Sequence, residues 1–259
     1  MPLNGTLSSS FASLFRTLRL TNSCFSVQIY APQDTPPESA AKWVQLSHRR
    51  LKVYGGTPDA QGTYQRPLPT WIDDFLSQCA MPFLESTPPL NEKENAAKAD
   101  HVLLNEYSGG MGIAPHFDGP LYRERVLVLN LQSPAVIYFY RVLESGLEEA
   151  FSLVLEPRSL LVFEGKLYTE LKHGIENAKE DDLSAKPAPL NFRLLSSEMR
   201  ALLELGKPLS RGLEPRLSLT LRKIRFEAEK SELEVVTSAE KEDLRRNEIN
   251  FYRNVSEQN

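Results

Sequence analysis

Six short runs rich in β-branched, aliphatic and aromatic residues, each cut off by a proline, glycine or serine, constrain this chain most. They are HVLLNEY (101–107), RVLVLNL (125–131), AVIYFYRVL (135–143), FSLVLEP (151–157), SLLVFEG (159–165) and PRLSLTLRKIRF (215–226). Runs of this kind at this spacing read as strands of an all-β sandwich or barrel, folding back repeatedly on one core. With 18 prolines and 13 glycines in 259 residues, short elements are favoured over long helices. The exception is LPTWIDDFLSQCAMPFL (68–84), where Trp71, Phe75, Leu76 and Cys79 recur at helical spacing and predict one amphipathic helix. Segments 31–43 and 86–100 read as loops. The predicted fold class is mainly β with flanking helices, an α+β chain.

Three stretches fall outside this pattern. Residues 1–33 contain no acid and are rich in Ser and Leu, and Phe11, Leu14, Phe15 and Leu18 follow helical spacing with Arg16 and Arg19 off the stripe. That composition matches a mitochondrial transit peptide better than a secretory signal. The plainer reading is a ragged extension or the first helix of the domain. Residues 176–214 form a long polar connection with a short helical piece near LLSSEMRALLEL. Connections of this length are commonly lids, binding loops or disordered segments. After Phe226 the chain becomes densely charged and poor in apolar residues, which predicts a solvated helix or a disordered tail.

Composition narrows the functional classes. A net charge of −4 and a pI near 5.7 give no global basic field, so nucleic-acid binding requires a local patch. Two cysteines, Cys24 and Cys79, are too few for a disulfide framework or a cysteine zinc site and suit a reducing compartment. No apolar run approaches the roughly 20 residues that cross a bilayer, so no membrane partner is expected. The expected compartment is nucleus or cytoplasm, with the mitochondrion as the alternative raised by the N-terminus, and the expected state is a monomer.

Only four histidines occur, and His116 stands two residues from Asp118, just before Gly119-Pro120. In a strand, residues i and i+2 share a face, so an imidazole and a carboxylate would lie side by side. A third ligand must come from elsewhere, and His173 follows the two late strands. Two histidines and one carboxylate form the facial triad of non-haem Fe(II) oxygenases. A zinc hydrolase is a rival, because the same ligands plus water suit catalytic zinc. In RLSLTLR (216–222), Arg216, Ser218, Thr220 and Arg222 share one strand face and the leucines the other. That face is either solvated or lines a barrel interior, where a guanidinium fork can take a dicarboxylate's distal carboxylate. Asn105 and Tyr107 form a similar same-face pair, able to donate to a bound keto acid.

These residues resemble the AlkB family of Fe(II)- and 2-oxoglutarate-dependent dioxygenases, and in particular its subgroup called AlkB homologue six. The family carries N-x-Y, H-x-D, a distal His and R-x-N-x-T-x-R in this order. Here they stand as Asn105-Glu-Tyr107, His116-Phe-Asp118, His173 and Arg216-Leu-Ser218-Leu-Thr220-Leu-Arg222. The resemblance spans about residues 42–226, taken as the dioxygenase domain with an insertion at 176–214, between an extension at 1–41 and a tail at 227–259. It implies a double-stranded β-helix (jelly-roll) and Fe(II) on His116, Asp118 and His173. It also implies 2-oxoglutarate held by Asn105, Tyr107 and Arg216, with Ser218, Thr220 and Arg222 nearby, and O2 as the second cosubstrate. Ser218 stands where the family has asparagine, and the stretch before Trp43 matches poorly.

The activity implied is oxidative demethylation of alkylated nucleic acid, with formaldehyde released. SHRRLKVYGG supplies Arg49, Arg50, Lys52 and Tyr54 as substrate-contact candidates, because cations beside an aromatic suit phosphate contact and base stacking; the bland alternative is a solvated basic loop. His48 and His101 are both assigned to structure or surface, with His48 as a secondary substrate-contact candidate. The acidic net charge keeps a protein-directed hydroxylase or demethylase in contention. A non-catalytic binding protein would be expected to have lost a triad residue or the binding arginine.

Overall fold

The structure is a computed structural model that describes residues 15–19, 42–59, 62–64, 67–85, 98–119, 121–212 and 214–224. In chain order the strands of its first part are β1 (Phe15–Arg19), β2 (Val44–Gln45), β3 (Arg49–Gly55), β4 (Thr57–Asp59) and β5 (Gly62–Tyr64). A helical stretch follows: α1 (Thr70–Phe75), a π-helical turn (Leu76–Ala80) and α2 (Met81–Glu85). Then come β6 (His101–Tyr107), β7 (Ile113–His116), β8 (Tyr122–Asn130), β9 (Ala135–Leu143), β10 (Gly146–Leu155) and β11 (Ser159–Glu164). The rest comprises α3 (Lys166–Thr169), β12 (Leu171–Ile175), β13 (Glu180–Asp181), α4 (Ser197–Glu204), β14 (Leu209–Ser210) and β15 (Arg216–Ile224).

Two antiparallel sheets carry the fold. The major one has seven strands in the order β1-β11-β8-β15-β6-β3-β2, and the minor one four in the order β10-β9-β12-β7. Their non-sequential strand orders and facing surfaces make a double-stranded β-helix, a jelly-roll. The alternation in β15 shows how the layers arise. Leu219 and Leu221 join Trp71, Phe75 and Leu76 in a cluster between the helical stretch and the major sheet. The opposite residues, Arg216, Ser218 and Arg222, are all buried, so this face is the interior of the β-helix and not a solvated surface. A second cluster, including Val126, Phe139, Leu153, Leu161 and Phe163, fills the space between the sheets.

The helix predicted at 68–84 is present with a wider turn inside it. Pro82 has no N–H and its ring crowds the carbonyl one turn back, which accounts for the π-helical turn just before it. The polar connection 176–214 is ordered throughout its described residues. It folds back over the outer face of the minor sheet, where Leu195 and Leu209 pack on Val136, Tyr138 and Val154. Its pattern is hidden in sequence because its apolar residues are scattered among turns instead of following one period.

Two further expectations change. Residues 15–19, placed by helical spacing on an amphipathic stripe, form an edge strand paired with β11; five residues with two arginines fit either period, and the free edge of the sheet decides. The stretch 49–55, read as a basic loop, is a strand in the major sheet paired with β6. The charged ends of Arg50 and Lys52 lie over Trp43, with the guanidinium carbon 4.3 Å and the ammonium 5.0 Å from the ring centroid, so charged residues occupy strand positions. Apart from 15–19, the targeting expectation for 1–33 lies outside the described residues, as do most of the loops expected at 31–43 and 86–100 and the tail at 227–259. Among the described residues, no helix is long and apolar enough to cross a membrane.

Candidate active site

β7 ends at His116, so Asp118 does not share its strand; it sits in the following turn, beside Gly119 with φ +87°. The turn swings Asp118 in, where a continuing strand would have held it alongside. His173 comes from β12, directly opposite His116 in the strand register. One ligand atom from each of His116, Asp118 and His173 lies within 4.8 Å of the others. The imidazole centroids are 4.4 Å apart, and His173 Nε2 is 3.5 Å from Asp118 Oδ2. His116 Nδ1 lies 2.9 Å from the Ala114 carbonyl, which can only accept, so Nδ1 carries the proton and Nε2 offers its lone pair inward.

The electrostatics fit a cation. Burial pushes His116 down to about 3 and lowers His173 as well, so both rings are neutral and able to ligate near pH 7. Burial alone would raise the Asp118 carboxyl, but Arg222, then His173 and His116, bring it below its ordinary range, so it stays ionised. Arg222 Nη2 is 2.8 Å from Asp118 Oδ1 as an ion pair, yet neither buried carboxylate oxygen receives a well-directed hydrogen bond. Buried carboxylate oxygens left this way are uncommon, and a metal ion would satisfy them.

At the other end of the same β15 face, Arg216 lies over the Tyr107 ring, 4.2 Å from its centroid, and donates through Nη1 to Asn130 Oδ1 at 3.1 Å. Its buried Nε has no hydrogen-bond partner. Ser218 is the register partner of both Asn105 and Asn130, and Thr220 follows on the same face. Asn105, Tyr107, Arg216, Ser218, Thr220 and Arg222 are thereby brought together along one interior wall. Asn130 escapes sequence reasoning, although an amide in the otherwise aliphatic RVLVLNL was a usable signal.

The basic stretch is split by strand alternation. Arg49 turns inward and donates from Nε to Asn105 Oδ1 at 3.2 Å. Arg50 turns outward into an ion pair with Glu106 at 2.6 Å. Lys52 shares that outer face, and Tyr54, 9% exposed, packs edge-on against Trp71 in the helix-side core. Tyr54 is a core residue here, and the four substrate-contact candidates do not form one surface. His48 lines a separate shallow cavity of about 180 Å³ with Tyr140 and Asn177.

His101 is wholly buried, bonded through Nδ1 to the Gly56 carbonyl at 2.7 Å and through Nε2 to the Tyr122 hydroxyl at 3.2 Å. Burial, helped by Arg222, depresses it from 6.5 to about 3. The unfolded chain therefore binds this proton below about pH 6.5 while the folded chain refuses it down to about 3, and stability falls as pH drops through that window. Each such histidine contributes a slope of about 1.4 kcal/mol per pH unit there. Urea unfolding of His101→Gln between pH 6.5 and 4 is expected to show a shallower loss of stability than wild type; equal slopes would contradict this.

A His-carboxylate-His cluster at the minor sheet of a jelly-roll, with an arginine whose buried Nε lacks a partner on the major sheet, has the ligand types of a non-haem-iron facial triad beside an anion-binding group. No family model matches the sequence. Relatives do: the zebrafish (Danio rerio) protein named "Probable RNA/DNA demethylase ALKBH6" is 34% identical over 154 residues, 55% of this chain and 61% of that one. An uncharacterized protein of Acanthamoeba polyphaga mimivirus is 29% identical, covering 60% of this chain and 70% of its own. A tRNA (carboxymethyluridine(34)-5-O)-methyltransferase, ALKBH8, of Macaca fascicularis is 30% identical over 74% of this chain but 27% of its own. Among solved structures, OsALKBH1 superposes with a TM-score of 0.45 at 17% identity, covering 81% of this chain and 98% of that one. The chain is similar in sequence to proteins named as AlkB homologues. It spans 61% of the length of its zebrafish relative.

Proposed function

We propose that this chain is an Fe(II)- and 2-oxoglutarate-dependent dioxygenase that removes N-methyl groups from nucleic-acid bases. The observation that carries the reading is the pairing of two unmet demands inside one β-helix, one at each sheet. Neither buried oxygen of Asp118 receives a hydrogen bond beside His116 and His173, which suits a metal ion, and the buried Nε of Arg216 has no acceptor, which suits an anion. In this reading His116, Asp118 and His173 hold Fe(II), and Arg216, Asn105 and Tyr107 hold the distal carboxylate of 2-oxoglutarate, with Ser218 and Thr220 along its length. When bound, Fe(II), 2-oxoglutarate and O2 supply the oxidising power: the keto acid leaves as succinate and CO2, and the hydroxylated methyl leaves as formaldehyde.

The protein's own part is orientation and exclusion of water. Arg222 holds the Asp118 carboxylate in place, and Phe139 and Phe163 pack against the His173 ring, with centroids 5.9 and 5.0 Å away. Nucleic acid as substrate is supported by the likeness to the zebrafish protein named as an RNA/DNA demethylase, and a content of only two cysteines fits a nuclear or cytoplasmic setting. The test is incubation with Fe(II), 2-oxoglutarate and N-methylated single-stranded oligonucleotides, reading formaldehyde and succinate together. Formaldehyde in step with succinate is expected. Succinate formed only with methylated peptides would move the substrate to protein.

A further inference from the structure

We infer that Arg49 is a positioning residue for 2-oxoglutarate: its guanidinium fixes the Asn105 amide so that the amide nitrogen faces the keto acid. This deepens the reading above and rests on it. The position of Arg49 in sequence, next to Arg50 and Lys52, suggests one basic patch, but consecutive strand residues face opposite sides of a sheet. Arg50 pairs with Glu106 on the outer side, whereas Arg49 stands opposite Tyr107 in the register of β3 on β6, inside the β-helix.

An asparagine amide has two near-equivalent orientations, and only one presents a donor to an anion. The Nε–H of Arg49 can only donate, and at 3.2 Å it captures Asn105 Oδ1. Among the described residues Asn105 Nδ2 has no hydrogen-bond partner, and Asn105 stands opposite Ser218 in the β15–β6 register on the wall that carries Arg216. Arg49 thus selects the amide orientation that an anionic ligand needs. It also brings a second cation to the Tyr107–Arg216 end of the wall, with no ion pair of its own among the described residues. Asn130 does the corresponding work for Arg216 from the next strand, accepting from Nη1 while its own amide donates to the carbonyls of Ser133 and Glu156 at 2.8 and 3.1 Å.

The test is calorimetric titration of 2-oxoglutarate into the full chain loaded with Mn(II), which needs no turnover. Arg49→Met keeps the aliphatic stem and removes the guanidinium; it is expected to weaken 2-oxoglutarate binding by roughly tenfold, as loss of a charged hydrogen-bonding partner does. Mn(II) affinity should be unchanged. Arg49→Lys, which keeps the charge and a long aliphatic stem, should recover only part of the loss, because an ammonium on a flexible stem does not fix the amide. In an Asn105→Ala background Arg49→Met should cost little more, since the two act as one unit. Arg141→Met, a surface arginine paired with Glu148, serves as the control. Wild-type affinity in Arg49→Met, or additive losses with Asn105→Ala, would overturn the inference and leave the dioxygenase reading standing. Absence of 2-oxoglutarate binding in wild type would overturn both.

Discussion

Asp118→Ala is expected to abolish Fe(II) binding and with it the iron-dependent consumption of 2-oxoglutarate, while the fold is retained. The carboxylate supplies one of three ligand groups and the only negative charge in the cluster. Its removal takes away the carboxylate that lies 2.8 Å from the Arg222 guanidinium, leaving that cation beside two neutral imidazoles, and a dication would meet a positive pocket. The loss should exceed the roughly 10–100-fold in metal affinity that follows when an outer-shell partner of a ligand is removed. Asp118→Asn keeps the shape and loses the charge, so it should bind metal almost as poorly. Metal titration beside far-UV circular dichroism separates this from unfolding. Iron-dependent turnover surviving in either variant would mean the metal sits elsewhere.

The second large effect falls on stability and concerns the connection 176–214. Arg211 and Asp181 form a buried pair, with side chains 3% and 1% exposed and Nε to Oδ2 at 2.8 Å. Arg211 also donates to the Glu176 carbonyl at 2.7 Å. Together these contacts tie the end of β12 to the β13–β14 pair that lies over the minor sheet. Arg211→Ala leaves Asp181 as an uncompensated buried charge, which should cost about 3–5 kcal/mol, a large share of the total stability of an ordinary domain. Breaking the half-exposed Arg50–Glu106 pair should cost no more than about 1 kcal/mol. Urea unfolding of the two variants side by side checks this. Equal midpoints for Arg211→Ala and wild type would show that 176–214 is not held by this pair.

The strand runs at 101–107 and 135–143 coincide with β6 and β9, because period-two patterns bounded by turn residues carry their own register. The interior face of β15 was legible as a face but not as interior, since a row of Arg, Ser, Thr and Arg looks the same against water or a ligand. The outcome depends on the second sheet, which no local pattern reports. The clustering of His116, Asp118 and His173 was legible from residue type and order, but the place of Asp118 was not, because the strand ends at His116 and Gly119 follows with positive φ. Residues 49–55 were misread for a physical reason: long cationic side chains can lie over an aromatic and still occupy strand positions. Arg49 and Asn130 act through partners on neighbouring strands, 56 and 86 residues away in sequence. Such pairings exist only once the sheet has formed.

The most direct test of the central claim is to add Fe(II) and then 2-oxoglutarate to the protein without oxygen and record the visible spectrum. A charge-transfer band that needs both additions, and that is absent in Asp118→Ala and weakened in Arg216→Ala, is the predicted result. A protein that binds zinc tightly at the same residues but gives no band with Fe(II) and 2-oxoglutarate would contradict it.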